Sequence, residues 1–170
     1  MAYALGVTLA DVKKHTAIHG NLDADKIIQC IRIAMDVHMQ NYMGSNLYEK
    51  INDLIVAGTL TVGANPTYLT LNTDFLKPML IHWAMVEYLP WGAYTIANKS
   101  IYKHTSESAE NVDKGEIDFL IKKAESTATH YTKRFLDYIC QNSATYPEYN
   151  NNTSEDMYPD KDVNQSNWYL

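Results

Sequence analysis

The chain has 170 residues and a net charge of −6 at neutral pH, and 46% of its residues are hydrophobic. That length suits a single domain, which buries about 70% of its unfolded surface and needs no metal or disulfide to fold. The basic stripe that binds nucleic acid nonspecifically is absent, and the arginines are only Arg32 and Arg134, so this class of function is not expected.

The cysteine pattern and the lengths of the apolar runs indicate whether the protein is secreted or inserted in a membrane. Cys30 and Cys140 both fall within apolar helical patterns, which predicts two buried free thiols rather than a disulfide or part of a metal site. No basic and apolar leader opens the chain, and no apolar run approaches the ~18 residues that a membrane span needs. We therefore expect a protein that is neither secreted nor inserted in a membrane.

The first two predicted helices lie in the N-terminal quarter. Thr8 and Asp11 are spaced as in a capping box, which predicts a helix from about 9 to 17. A stronger pattern from Asp25 to Met43 has apolar residues on two faces, so this helix should be central.

Gly44 ends that helix, and Ser45 or Asn46 is expected to cap a further helix in LYEKINDLIVAG. From 59 to 71 the apolar period then changes from 3.6 to 2, because leucine and valine alternate with threonine and tyrosine on both sides of the turn GANPT. The alternation predicts a small β-hairpin with one apolar face. Such a hairpin must pack on the helices or pair with another chain.

Two more helices are predicted in the second half. Asn72 or Thr73 caps a buried helix that Pro90 stops or kinks. Residues 91–114 have a poor pattern and are predicted to be irregular, with a short strand at 100–104. The last helix extends from Val112 or Gly115 to Gln141 with apolar residues at 3.6 spacing.

The patterns together predict a mainly α fold. Residues 1–141 form a bundle of four to five helices with an inserted β-hairpin at about 59–71, and residues 142–170 form an extended C-terminal arm. The arm supplies −4 of the net charge, and its end, NNNTSEDMYPDKDVNQSNWYL, has too little apolar surface to fold alone.

Aromatic residues are in excess, with 13 tyrosines and 3 tryptophans, and aromatic side chains are favoured at interfaces. Trp83 and Tyr131 fall in helical patterns and are predicted to lie in the core. The residues predicted to bind a partner belong to the arm: Tyr146, Tyr149, Tyr158, Trp168, Tyr169 and Leu170.

Chemical motifs are not found. His15 and His19 are four residues apart, but the helix is predicted to end between them and no third ligand follows at a regular spacing. His38 and His82 lie in apolar stripes, which favours core histidines. Hydrolase elbows, phosphate loops and dinucleotide glycine fingerprints are absent, so we expect no enzyme activity, no cofactor and no metal site.

The order of the segments resembles the head-to-tail connector (adaptor) proteins of tailed bacteriophages. The matching residues are Leu9-Ala10-Asp11-Val12-Lys13 in the first helix, Tyr42-Met43-Gly44 at the end of the long helix, and Lys77-Pro78 in the later apolar helix. The resemblance covers residues 8–141. Residues 97–121 are also similar to variants found in phages of Bacteroidales, including crAss-like phages.

The resemblance implies a structural virion protein at the head-to-tail junction, made in the bacterial host cytoplasm. It implies a homo-oligomeric ring, expected to be dodecameric, that lies beneath the portal protein, contacts further tail or ring proteins and lets DNA pass without specific binding. An acidic subunit fits such a channel, because a basic lumen would hold the DNA backbone. The alternative from another class is a small cytosolic helical-bundle binding or regulatory module.

Overall fold

The structure, a computed structural model, describes residues 4–18, 24–92, 94–97, 100–103, 114–151 and 156–162. The fold is mainly α. The helices are α1 (Leu9–His15), α2 (Ala24–Ala34), α3 (Gln40–Met43), α4 (Ser45–Val56), α5 (Pro66–Thr70), α6 (Lys77–Gly92), α7 (Lys114–Gln141) and α8 (Pro147–Asn150). Two strands, β1 (Tyr94–Ala97) and β2 (Ser100–Lys103), pair as an antiparallel ribbon.

The predicted capping box at the start of α1 is confirmed. The Asp11 amide donates to Thr8 Oγ1 at 3.2 Å, and the Thr8 amide donates to Asp11 Oδ2 at 2.9 Å. These hydrogen bonds favour the ionised carboxylate and hold the pKa of Asp11 below its usual value of 3.8. The sequence therefore located the start of this helix correctly.

The long predicted helix of the first half is also present. α2, a π-helical segment (Met35–Met39) and α3 follow one another without a break and form a single helix over residues 24–43. It is not the central element, however. That position belongs to α6, whose most extensive contacts are with α7 and α2.

The predicted hairpin at 59–71 is wrong. Residues 59–65 form a turn in which the Asn65 side chain donates to the Thr59 carbonyl at 2.9 Å. Helix α5 then begins at Pro66, where proline is favoured because the first helical amide needs no partner. A π-helical segment (Leu71–Leu76) leads directly into α6, so the alternating residues lie on turn and helix instead of strands.

The predicted boundaries of the next elements change in a similar way. Pro90 lies inside α6 and does not stop it, since the helix continues for two more residues to Gly92. The π-helical segment that precedes α6 ends at Leu76, two residues before Pro78, which has no backbone N–H to donate. The strand expected at 100–104 corresponds to β2, whose partner β1 the sequence did not indicate; residue 104 lies outside the described residues.

Trp83 is buried, as predicted, and joins three elements in the core. Its indole N–H donates to Thr132 Oγ1 of α7 at 2.9 Å. Its ring stacks on His38, with centroids 3.8 Å apart, and His38 Nε2 lies 2.8 Å from Glu87 Oε1. Tyr131 is half-buried against the same core. Trp83 therefore contacts α7 through its indole N–H and the helix over 24–43 through the face of its ring.

α7 has 28 residues and is about 42 Å long. Its second half is well packed, because Ala128, Thr132, Phe135 and Ile139 are all fully buried. Its first half, by contrast, is largely exposed, including Phe119 and Leu120. α7 thus anchors the body at one end and presents an apolar surface at the other.

Candidate functional site

The first two predicted partner-binding residues lie in the core of their own chain. Tyr146 and Tyr149 are 0% and 2% exposed. The Tyr146 hydroxyl donates to the Thr67 carbonyl at 3.1 Å and lies 3.0 Å from the Tyr138 hydroxyl. Their prediction as surface residues is corrected: a 3₁₀ turn (Ser143–Thr145) and α8 fold residues 143–150 back on the bundle.

Tyr149 is buried in a different way. Its ring meets Phe135 edge-on, with centroids 6.4 Å apart, and Lys161 Nζ lies 5.5 Å from the ring centroid. Among the described residues its hydroxyl has no hydrogen-bond partner. Burial raises the pKa of this phenol, with Cys140 and Asp160 adding to the effect. The residue therefore contributes packing rather than a polar contact.

The next part of the arm, residues 156–160, closes the turn between α3 and α4. The Ser45 amide donates to the Met157 carbonyl at 3.0 Å, and the Met157 amide donates to Ser45 Oγ at 3.1 Å. Ser45 Oγ also donates to Asp156 Oδ2 at 2.7 Å, which Gln40 Nε2 reaches at 3.0 Å. The arm therefore supplies the partners that the start of α4 needs.

This arrangement replaces the predicted cap of α4. Gly44, not Ser45 or Asn46, is the N-cap residue and has no side chain to offer. Asp156 provides the carboxylate instead, which also suits the positive end of the helix dipole. The other side of the turn is held as well, because the Asp160 amide donates to the Asn41 carbonyl at 2.8 Å.

Gly44 also lets the arm approach. A Cβ at this position would lie 2.7 Å from Pro159 Cδ, and Gly44 has a φ of 70°. The turn and the arm therefore fit each other through both hydrogen bonds and shape.

The remaining predicted residues differ in where they lie. Tyr158 is 72% exposed, so its side chain points away from the body although its neighbours are attached to it. Trp168, Tyr169 and Leu170 lie outside the described residues. Of the six predicted partner-binding residues, Tyr158 is the one that the structure places on a surface.

Two apolar patches were missed by the sequence analysis. The first apolar patch is Ile33 and Val37 on the helix over 24–43, and the second is Phe119 and Leu120 on α7; all four side chains are exposed. Phe119 lies off the 3.6 stripe of α7, and this offset was the available signal. Leu120 belongs to that stripe and is nevertheless exposed.

The first apolar patch lies near the arm. Val37 precedes Asn41 by one helical turn, and the Asn41 carbonyl holds Asp160 of the arm. Ile33 precedes Val37 by another turn. The first apolar patch therefore lies one to two turns along the helix from the residue that holds the arm.

Possible metal ligands do not gather in the described part of the chain. No three His, Cys, Asp or Glu side chains there are placed to hold a metal ion. Burial, with a smaller effect of Glu87, raises the pKa of Cys30 to about 11, which leaves this thiol unreactive. Cys140 is also free but exposed, contrary to the expected burial. A small cavity of about 30 Å³ lies among Met35, Met39 and Met43 and neighbouring residues.

None of the helices in the described part of the chain is both long enough and apolar enough to cross a bilayer.

Comparison with known proteins identifies one family. The model of the DUF6712 family, described as a family of unknown function, matches residues 39–157. No curated protein matches the chain, and no solved structure matches it. The matched range begins within the long helix over 24–43 and ends in the arm, so it includes both sides of the contact between the α3–α4 turn and residues 156–157.

Proposed function

Because the chain belongs to the DUF6712 family, whose function is unknown, we propose its role from its own residues: it is a structural virion protein, a head-to-tail adaptor of a tailed bacteriophage. In this role, copies of the chain form a ring beneath the portal protein, and DNA passes through the ring. The resemblance of Leu9–Lys13, Tyr42–Gly44 and Lys77-Pro78 to connector proteins supplies the identity of the assembly.

The observation that carries the proposal is an exposed apolar surface beside the arm. Tyr158 projects from a segment that at least four hydrogen bonds hold to the α3–α4 turn. The first apolar patch, Ile33 and Val37, is exposed and lies one to two turns along the helix from Asn41, whose carbonyl holds the arm. An exposed aromatic on a fixed backbone is a low-entropy anchor for another protein, so this surface suits contact with a neighbouring subunit or the next layer.

The charge of the chain supports the same role. The net charge of −6 is repeated in every copy of a ring, and such a channel repels the phosphate backbone and lets DNA slide.

The proposal is tested on the full chain with the portal protein encoded by the same genome. Native mass spectrometry and electron microscopy should reveal a closed ring of defined stoichiometry and one added annular layer on the portal. A chain that stays monomeric at all concentrations and ignores the portal would contradict the proposal. That result would favour the alternative, a small helical-bundle binding or regulatory module.

A matched pair of variants tests the surface itself. Val37→Ser combined with Tyr158→Ala should abolish ring formation at limiting concentration while the thermal unfolding midpoint stays near that of the wild type. Val62→Ser changes another exposed apolar residue, in the turn before α5, and should assemble normally. Equal assembly of both variants would place the interface elsewhere.

A further inference from the structure

We propose that the subunit binds a small aliphatic carboxylate, a free fatty acid of about four to eight carbons. The end of its tail enters the cavity among Met35, Met39 and Met43, and Asn72 and Lys77 hold its carboxylate in the groove in front of that cavity. None of the residues that line this site belongs to the surface proposed for ring contacts. The inference is therefore independent of the proposed function.

The groove lies beside the N-terminal segment of the chain. It has a volume of about 310 Å³, and its lining residues come from three segments, 5–11, 55–60 and 69–77. Leucine, valine and isoleucine side chains alternate there with a few polar ones. A concave surface with apolar walls and a small number of polar groups is the usual form of a small-molecule site.

The methionine-lined cavity lies directly behind this groove. Four residues line both spaces: Gly6, Ile55, Asn72 and Lys77. A Cβ at position 6 would lie 2.9 Å from Leu80 Cδ2, and Leu80 lines the cavity. Because Gly6 has no side chain, the boundary between the groove and the cavity is thin.

The cavity is suited to the end of an aliphatic chain. Met35, Met39 and Met43 lie one helical turn apart and are 5%, 3% and 2% exposed. Methionine side chains are flexible and polarizable, so they adapt to apolar groups of different shape. The cavity volume of about 30 Å³ has room for roughly two or three heavy atoms, because one needs about 10–15 Å³. The other carbons of the tail lie in the groove.

Asn72 supplies a hydrogen-bonding group at the boundary of the two spaces. Its side chain is 5% exposed, and it forms no side-chain hydrogen bond within the described part of the chain. Asn52, which lines the same cavity, differs in this respect because it accepts from the Ala4 amide at 3.2 Å. An enclosed carboxamide without a protein partner favours a ligand that accepts a hydrogen bond from it.

Lys77 supplies the positive charge of the site. It is half-buried at the start of α6 and forms no ion pair with the described residues. Asp11 also lines the groove, but its carboxylate accepts hydrogen bonds from Thr8. These hydrogen bonds, and to a smaller extent the charge of Lys77, lower the pKa of Asp11. The Lys77 ammonium is therefore left to form a charge-assisted hydrogen bond with a ligand carboxylate.

The first experiment uses nuclear magnetic resonance of the full-length protein with ¹³C-labelled methionine methyl groups. Hexanoate should shift the methyl signals of Met35, Met39 and Met43 in a saturable way and leave that of Met157 in the arm unchanged. Acetate should bind at least about tenfold more weakly, because each buried methylene contributes about fourfold in affinity. No saturable shift, or equal shifts of all methyl groups, would overturn the proposal.

The second experiment tests the charge of the ligand. Lys77→Met should weaken the binding of hexanoate by about tenfold and that of the uncharged hexanamide by less than about twofold. Lys133→Met, at an exposed lysine of α7, is the matched control and should bind both compounds like the wild type. Equal weakening of hexanoate binding by the two variants would mean that only the overall charge matters, which would overturn the proposed site.

The third experiment tests the carboxamide. Asn72→Leu has a side chain of similar size and should weaken the binding of both hexanoate and hexanamide by about fivefold. The methionine methyl spectrum without added compound shows whether this variant is folded. Wild-type affinity of the folded variant for both compounds would overturn the proposal. If the variant does not fold, the comparison of Lys77→Met with Lys133→Met decides the question.

Discussion

Pro159 packs on Gly44 so closely that a Cβ at position 44 would lie 2.7 Å from its Cδ atom. Gly44 also has φ 70° and ψ 157°, a backbone region that is essentially limited to glycine. We expect Gly44→Ala to lower the free energy of unfolding by about 3 kcal/mol, because clash and backbone strain add. Urea denaturation of the full chain measures the change.

Gly58→Ala is the control for this prediction. Gly58 also has a positive φ, 66°, but a Cβ there would meet no atom within 4 Å. The variant should lose only the backbone term, about 1 kcal/mol. Equal losses for the two variants would show that Pro159 does not constrain the turn.

Asp156 and Tyr158 are close together in the arm, but their replacement by alanine is expected to change the stability of the protein by different amounts. Asp156→Ala removes the acceptor of both Ser45 Oγ and Gln40 Nε2 and should cost about 1–2 kcal/mol of stability. Tyr158→Ala removes an exposed ring and should change stability by less than about 0.5 kcal/mol. Thermal unfolding of both variants distinguishes the two roles, and a greater loss for Tyr158→Ala would contradict them.

Tyr146 and Tyr149 provide a comparison of two buried hydroxyls. Tyr146→Phe removes the hydroxyl that contacts both the Thr67 carbonyl and the Tyr138 hydroxyl and should cost about 1–2 kcal/mol. The Tyr149 hydroxyl has no partner among the described residues, so Tyr149→Phe should be neutral or stabilising. Denaturation midpoints of the two variants test this order, and the reverse order would mean that the hydroxyl of Tyr149 is the one that is bonded.

His82 should make stability depend on pH. Burial, with a smaller effect of His15, holds its pKa below the usual 6.5, and its ring stacks on Tyr131. Below pH 6.5 the unfolded state therefore binds a proton that the folded state resists, so stability falls as the pH decreases toward the folded pKa. His82→Gln should reduce this fall in denaturation curves between pH 7 and 5.

The exposed His130, also on the surface that contacts Tyr131, supplies the control for this measurement. His130→Gln should retain the acid-dependent loss of stability seen in the wild type. If His82→Gln keeps the same pH dependence as the wild type, another group is responsible for it.

Local signals explain which elements could be predicted from the sequence. The capping box of Thr8 and Asp11 and the apolar periods over 25–43 and 115–141 depend on residues close in sequence, and these helices are present. The hairpin prediction failed because eight alternating residues fit turn and helix equally well. Pro66, read as part of a turn, is the first residue of α5, and this helix-start signal outweighed the alternation.

Contacts between distant residues explain the rest. Tyr146 is buried by Thr67 and Tyr138, and nothing in the composition around position 146 indicates those partners. The cap of α4 comes from Asp156, 111 residues after Ser45. The residues next to the start of the helix offer only Ser45 and Asn46 as candidates. The surface of Phe119 was visible in principle, because it departs from the buried stripe of its helix.

The closure of the α3–α4 turn by the arm has a consequence for synthesis of the chain. Ser45 and Asp156 are 111 residues apart, so at about 5–20 residues per second the ribosome makes Asp156 roughly 6–20 s after Ser45. During that interval the first amide of α4 lacks the partner that it has in the finished protein. A nascent or prematurely terminated chain therefore carries an open α3–α4 turn in its N-terminal half. The turn is completed only after the arm has been translated.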